Sequence, residues 1–265
     1  MHLKRIVWVM WLLSIAALGQ SSTQTSAMDQ PLHGIKVFSS NFDSTTQTVK
    51  LDFMNDSPSD ITAWGYCVQP AKANSADPDQ STCTFRDALP AVIDTQIQEQ
   101  TTQKASRGVC EDCSFIRPGQ HKTITAGFSG GLVTNAEIKI NVIVHDDGTA
   151  EASGKTGDHL LQEISADRRT ALKTTQMIVA KGQDILADAN NQHPVVSMID
   201  ALQKLSKAEP SVAGFLYWFK RPEWRKANRT EFIPEDERKY LKSFVQEQQT
   251  RSQEFSKNQI TGVSQ

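Results

Sequence analysis

Four cysteines are the residues whose chemistry the sequence constrains most. Cys110 and Cys113 have the C-x-x-C spacing of redox motifs and zinc sites, whereas Cys67 and Cys83 are 16 positions apart. A four-thiolate zinc site needs two close pairs, and a redox C-x-x-C normally opens a helix, whereas Pro118 begins a predicted turn here. We therefore expect all four cysteines to form structural disulfides, with three pairings open, and we expect no metal or other cofactor.

Two segments imitate catalytic or metal-binding motifs. The stretch 127–131 (GFSGG) matches G-x-S-x-G, but a nucleophile elbow places a helix after the serine, and a strand is predicted to follow Ser129. His145, Asp146 and Asp147 combine three potential metal ligands, although no second ligand pair accompanies them. We interpret both segments as turns and expect neither catalytic residues nor metal ligands, which favours a non-catalytic protein.

An aromatic cluster followed by basic residues is the best candidate for an interaction surface. The segment 215–229 reads FLYWFKRPEWRKANR. The candidate surface comprises Trp218, Lys220, Arg221, Trp224, Arg225 and Lys226. Aromatic rings beside cations suit peripheral contact with an anionic surface or an acidic protein partner. The alternative is that the aromatic residues form core between helices while the cations are solvated.

The first 19 residues have the organisation of a secretory signal peptide. Lys4 and Arg5 precede an apolar run at Ile6–Leu18, and small residues lead to a cleavage site after Gly19. A helix of this length is too short for the ~30 Å hydrocarbon core, which argues against a retained membrane anchor. We therefore expect a periplasmic or extracellular protein whose cysteines meet an oxidising environment.

The formal charge of −2 excludes a strongly basic nucleic-acid-binding protein, and we expect no nucleic-acid partner. The charge is unevenly distributed along the chain. Residues 20–155 carry 10 basic and 16 acidic residues, whereas residues 156–265 carry 16 and 14. The sequence therefore predicts an acidic first part and a mildly basic second part.

From Gly34 to residue 155, apolar and polar residues alternate in the period of two that indicates half-buried strands. Clusters of Asn, Asp, Ser, Gly and Pro between these runs indicate turns. Strands are predicted at 35–42, 48–54, 61–68, 120–126 and 136–145. In the last of them, the alternation places Ile138, Ile140, Val142 and Val144 on one face. This pattern predicts an antiparallel sandwich.

After residue 156 the apolar period becomes helical. Asp158 is predicted to cap a long helix, in which Gly182 is an unfavourable residue. Further helices are predicted to begin at Pro194 and at Pro234, where acidic residues follow in the first turn. The sequence thus predicts an α+β protein whose helices follow its strands.

Two segments of the β region carry a resemblance to a known group. They are 51–64, with Asn55-Asp-Ser57 at a turn, and 142–151, with Asp146-Asp-Gly148 at a hairpin. In these segments the chain resembles exported bacterial proteins of unknown function that contain an immunoglobulin-like β-sandwich. The resemblance implies an N-terminal antiparallel immunoglobulin-like sandwich followed by an α-helical C-terminal region, and it implies no established activity.

The predicted organisation follows from these patterns. It comprises a signal peptide 1–19, a flexible lead-in 20–33, a β-sandwich 34–155 with a long cysteine-containing insertion 70–117, and a helical region 156–265. The expected function is non-catalytic binding or scaffolding of an unknown protein or envelope component. The alternatives are an envelope hydrolase with an unrecognised site and a thiol redox protein that uses Cys110 and Cys113. The insertion, predicted to be a polar loop, is a second candidate for binding. The oligomeric state is left open.

Overall fold

The computed structural model describes residues 32–72, 81–100, 114–128, 133–219 and 234–264. The fold is α+β, with most strands in the first part of the chain and most helices in the second. The elements are β1 (Ile35–Asp43), β2 (Thr48–Asn55), β3 (Ile61–Lys72), β4 (Thr82–Asp87), α1 (Leu89–Gln100), β5 (His121–Gly127), β6 (Val133–His145), β7 (Thr149–Ala152), α2 (Gly154–Ala187), α3 (Pro194–Ala208), α4 (Val212–Phe219), α5 (Pro234–Lys257) and β8 (Gly262–Ser264). Within the described ranges, none of the helices is both long and apolar enough to span a membrane.

The strands form two sheets. The three-stranded sheet has the order β1-β2-β5, and the five-stranded sheet has the order β4-β3-β6-β7-β8. All pairs are antiparallel except the last, in which β8 runs parallel to β7. The two sheets enclose the largest apolar cluster of the described chain, and α2 covers the other face of the five-stranded sheet.

Strand β2 shows how the sequence positions this core. Val49, Leu51 and Phe53 are buried between the sheets, as their alternation predicts. Trp64 of β3 is among the largest fully buried side chains and belongs to the same cluster. Burial of side chains of this size contributes roughly 1.5–3 kcal/mol each, so this interface stabilises the pairing of the sheets.

Strand β6 changes face at Asn141, which is an extra residue opposite the step Gly65–Tyr66 of β3. Before the bulge, Ile138 and Ile140 pack between the sheets. After the bulge, Val142 and Val144 pack against α2. The prediction that these four side chains share one face was therefore wrong. A bulge shifts the period of two by one residue, and β6 is buried on both sides, so its polarity does not reveal the shift.

Helix α2 begins at Gly154, earlier than the predicted cap at Asp158, and its N-cap residue is Ser153. Leu160, Leu161 and Ile164 of its first half are buried against the five-stranded sheet. The predicted boundary was wrong because Gly157 was interpreted as part of a loop. In the structure this glycine lies in the first turn of the helix, where the backbone of β6 approaches closely.

We expect Gly157→Ala to lower the free energy of unfolding by about 2 kcal/mol. An added Cβ would lie 2.3 Å from the carbonyl oxygen of Asn141, so two backbone segments must separate. Gly214→Ala in α4 is the matched control, because an added Cβ there meets no heavy atom within 4 Å. This control should stabilise the protein by up to about 1 kcal/mol. Urea denaturation measures both values, and equal effects would contradict the close approach of α2 to β6.

The second half of α2 packs against α3, α4 and α5. Helix α5 runs antiparallel to α2, and Gly182 lies where an added Cβ would be 2.2 Å from Val245 Cγ2. The glycine that weakens α2 by propensity therefore allows this contact.

Adjacent residues of α5 secure the turn between α2 and α3. Glu237 accepts a hydrogen bond from the Val195 amide, and Arg238 donates to carbonyls at the end of α2, including that of Leu186.

The interval 70–117, which was predicted to be a long loop, contains β4 and α1. The prediction of a loop was wrong for this part because the partners of the segment lie far away in the chain. Leu89, Ile93 and Ile97 form a helical stripe that packs with Phe255 of α5. A disulfide joins Cys67 of β3 to Cys83 of β4, which are directly opposed in the sheet. The other two cysteines lie outside the described residues.

Candidate functional site

The solvent-facing side of the three-stranded sheet is built from cross-strand rows of polar residues. Each row takes one residue from β1, one from β2 and one from β5. The three rows, called the outer face below, are Asp43–Thr48–Gly127, Asn41–Lys50–Thr125 and Ser39–Asp52–Thr123. They lie on the side opposite the buried alternate residues of β2. The sequence alternation of β2 thus assigns its hydroxyl and charged side chains to this face.

The turn between β1 and β2 fixes one end of the outer face. The Asp43 carboxylate accepts hydrogen bonds from the Thr45 amide and the Thr46 hydroxyl, at 2.8 and 2.9 Å. The Thr46 and Thr48 hydroxyls are 2.7 Å apart, which extends this chain of hydrogen bonds onto the sheet. The hydrogen bond from the Thr46 side chain, followed by those from the backbone, lowers the pKa of Asp43. The carboxylate is therefore ionised and held in a defined orientation at neutral pH.

A depression of about 380 Å³ lies at this end of the outer face. Its lining comes from the five residues of the first two rows other than Gly127, together with Phe42 and Thr46. Gly127 leaves the neighbouring position of the sheet open, because an added Cβ would meet only Thr48 Cγ2, at 3.8 Å. The depression is open to solvent, and both hydrogen-bond donors and acceptors surround it.

An exposed aromatic ring marks the opposite end of the outer face. Phe38 is the extra residue of a bulge in β1 and is 48% exposed. Its ring centroid lies 4.6 Å from that of His121 in β5, and Lys36 Nζ lies 5.4 Å from the Phe38 centroid. His121 Nδ1 is also 3.8 Å from a carboxylate oxygen of Asp52. These contacts orient a large apolar ring in solvent at the edge of a polar face.

His145 lies in a buried polar corner. Its Nδ1 is 3.3 Å from Ser57 Oγ and its Nε2 is 3.7 Å from Glu151 Oε1. The Ser57 hydroxyl also donates a hydrogen bond to Asn55 Oδ1, at 2.7 Å, within the turn after β2. Asp147 instead accepts hydrogen bonds from Thr149, which lower its pKa. The two segments that carry the family resemblance therefore touch each other here, in an arrangement that stabilises two turns.

The sequence-predicted interaction surface lies at the edge of the described chain or beyond it. The backbone of Trp218 lies in α4, and its side chain is outside the described set. The other five residues of the candidate surface lie outside the described residues: Lys220, Arg221, Trp224, Arg225 and Lys226. Phe219, in the same aromatic cluster, is buried against Tyr240 and Phe244. One aromatic residue of the cluster is thus core, and the interaction surface stays a prediction. The same applies to the redox alternative, since Cys110 and Cys113 are outside the described residues.

Sequence reasoning missed a buried ionic centre at Arg168 of α2. Its guanidinium is 1% exposed and donates two hydrogen bonds to the Asp87 carboxylate, at 2.8 and 2.9 Å. It also donates to the Thr62 hydroxyl and the Asn258 carbonyl, each at 2.9 Å. The Asp87 carboxylate also accepts a hydrogen bond from the Leu89 amide at the start of α1. One side chain therefore joins β3, β4, α1, α2 and the segment after α5.

We expect Asp167→Asn to raise the melting temperature at pH 7. Partial burial of the carboxyl group, with smaller contributions from Asp87 and Glu163, raises the pKa of Asp167 above 3.8. The folded protein therefore binds this proton more tightly than the unfolded chain, and ionisation above pH 4 lowers stability. The gain of the variant should vanish below about pH 4, where both states are protonated. Melting curves across this range, with Asp158→Asn on the same helix as control, test the sign, and a pH-independent difference would contradict it.

Comparison of the chain with protein-family models, curated proteins and solved structures found no significant match. The resemblance to exported immunoglobulin-like proteins therefore stays a prediction.

Proposed function

We propose that the protein is an exported, non-catalytic binding module of the cell envelope. In this proposal an immunoglobulin-like sandwich, extended by a helical layer of α2, α3, α4 and α5, presents the outer face to an envelope component. The two facing sheets, and the contact between Ser57 and His145 in the resemblance segments, support the sandwich. The signal peptide predicted at residues 1–19 supports the location. The observation that carries the binding role is the outer face, which joins a solvent-open depression with polar lining residues to an exposed aromatic ring.

The outer face differs from an ordinary solvated sheet surface in two ways. Antiparallel sheets commonly have one polar, solvated side, so polarity alone is no evidence of binding. Here, however, a depression lies beside Gly127 at one end, and Phe38 exposes a large ring at the other end. The intervening polar groups are attached to a paired three-stranded sheet, so little conformational entropy is lost when a ligand binds.

The experiment is co-sedimentation of the exported protein with an insoluble envelope fraction. The double variant Phe38→Ser/Lys50→Ala removes groups from both ends of the outer face, and both side chains are exposed, so the melting temperature should change little. We expect bound protein to fall at least about tenfold, equivalent to one or two lost contacts.

The matched control is Val196→Ser/Lys204→Ala on α3, which exchanges an exposed apolar residue and an exposed lysine away from the sheets. It should bind like the unmodified protein. An exported protein that does not sediment with the fraction, or outer-face variants that bind normally, would overturn the proposed function. N-terminal sequencing of the exported protein should begin at Gln20.

A further inference from the structure

We infer that the outer face binds an extended, uncharged polysaccharide, an inference that rests on the proposed function. Asp43 and Asp52 are separated by Lys50 along the face, and Lys36 adds a cation near Phe38. Opposite charges that alternate at these distances produce no extended field of one sign. The face is therefore complementary to a neutral ligand and not to a polyanion or a polycation.

The hydrogen-bonding groups fit a ligand rich in hydroxyls. A sugar hydroxyl both donates and accepts, so each one is satisfied best between a donor and an acceptor. The outer face provides carboxylate acceptors at Asp43 and Asp52 and an ammonium donor at Lys50. Asn41 and Thr125 donate and accept, and they are neighbours of Lys50 in the same row. The mixture recurs along the strands, which suits a repeating ligand.

The dimensions favour a chain of sugars over a single ring. Successive rows are two residues apart, which corresponds to roughly 6.6 Å along a strand. From the row of Asp43 to the pair Met54–His121 beside Phe38 there are three such steps, or roughly 20 Å. The depression and the exposed ring lie at opposite ends of this length. The apolar C–H face of a sugar can cover the Phe38 ring while another unit of the same chain occupies the depression.

A peptide added to the edge strand is the competing occupant. Such a peptide would continue the hydrogen-bond ladder of β1, but the bulge at Phe38 interrupts the regular spacing of backbone groups on that strand. Polar side chains of the outer face would also stay uncovered by an edge-bound strand. The observations therefore favour a ligand that lies across the face.

The first experiment identifies the chemical class of the ligand. The envelope fraction is digested exhaustively with protease, extracted with chloroform–methanol, and then used again for co-sedimentation. We expect binding to persist, and to change less than about twofold between about 50 and 500 mM NaCl, since a neutral ligand is not screened. Loss of binding after protease, loss after extraction, or a steep salt dependence would overturn the polysaccharide inference and leave the proposed function standing. Absence of binding to the untreated fraction overturns the proposed function itself.

The second experiment locates the ligand with Gly127→Val. The β-branched residue suits a strand, and its Cβ has room beside Thr48, so the variant should fold. Its side chain would lie beside Thr48, which lines the depression, and binding to the extracted material should fall at least about tenfold. Gly214→Val, at an exposed and unobstructed helix position, is the matched control and should bind normally. A folded Gly127→Val protein with unchanged binding would show that the polysaccharide lies elsewhere.

Discussion

Replacing Arg168 with leucine is expected to lower the free energy of unfolding by about 3–5 kcal/mol. The variant removes a buried cation and leaves the Asp87 carboxylate, which is 11% exposed, without its bidentate partner. It also removes the donors to Thr62 and Asn258. Most of the loss comes from the charge and polar groups that remain buried, since an ion pair of this kind contributes less than its removal costs.

Urea denaturation of three further variants makes this prediction specific. Arg169→Leu, the same substitution at the exposed neighbour, should change stability by no more than about 0.5 kcal/mol. Asp87→Leu should resemble Arg168→Leu, and the double variant Asp87→Leu/Arg168→Leu should be less destabilised than the sum of the two. A loss below about 1 kcal/mol for Arg168→Leu, or additive single variants, would show that the contacts around Arg168 do not act as a unit.

Removing the Cys67–Cys83 disulfide is the second large perturbation. The bond closes a loop with a sequence separation of 16, which in the chain-entropy model corresponds to about 3 kcal/mol. The bond also holds β4 against β3, and β4 leads directly into the residues that contact Arg168. Cys67→Ala/Cys83→Ala should therefore unfold at lower urea concentration. Cys110→Ala/Cys113→Ala is the control, and it should retain the Cys67–Cys83 cross-link in a peptide map.

A thiol count on the denatured, unreduced protein completes this test. We expect no reactive thiol, because an even set of cysteines pairs in an oxidising compartment. Two thiols would show that Cys110 and Cys113 are reduced, which would favour the redox alternative over a second structural disulfide. Four thiols would contradict the cross-link between β3 and β4.

The strands whose one face is buried could be predicted from the sequence, because polarity records burial directly in such strands. The alternation in β2 located both the core residues and the side of the outer face. Strand β6 could not be oriented in the same way, since its second half is buried on both sides and a bulge at Asn141 reverses the pattern. Helix α1 was missed because its apolar stripe is short and lies in a polar segment.

The rows of the outer face are beyond sequence reasoning for a different reason. Asn41, Lys50 and Thr125 become neighbours only through the register of three strands, and β5 follows β2 by more than 60 residues. Arg168 and Asp87 are 81 residues apart, and neither has a local signal of burial. The alternation of polar residues in β2 indicates that one side of this strand faces solvent. It does not indicate that β1 and β5 are the strands beside β2.

The parallel pairing of β8 with β7 has a kinetic consequence. The Thr261 amide donates a hydrogen bond to the Gly148 carbonyl across a sequence separation of 113. Along the chain, the helices from α2 to α5 lie between the two strands. Contacts of such long range close only after a large loss of chain entropy, and topologies rich in them fold slowly. The edge of the five-stranded sheet beside β7 therefore stays open until the helices have collapsed. We therefore expect the pairing of β8 with β7 to be among the last contacts of the sheet to form.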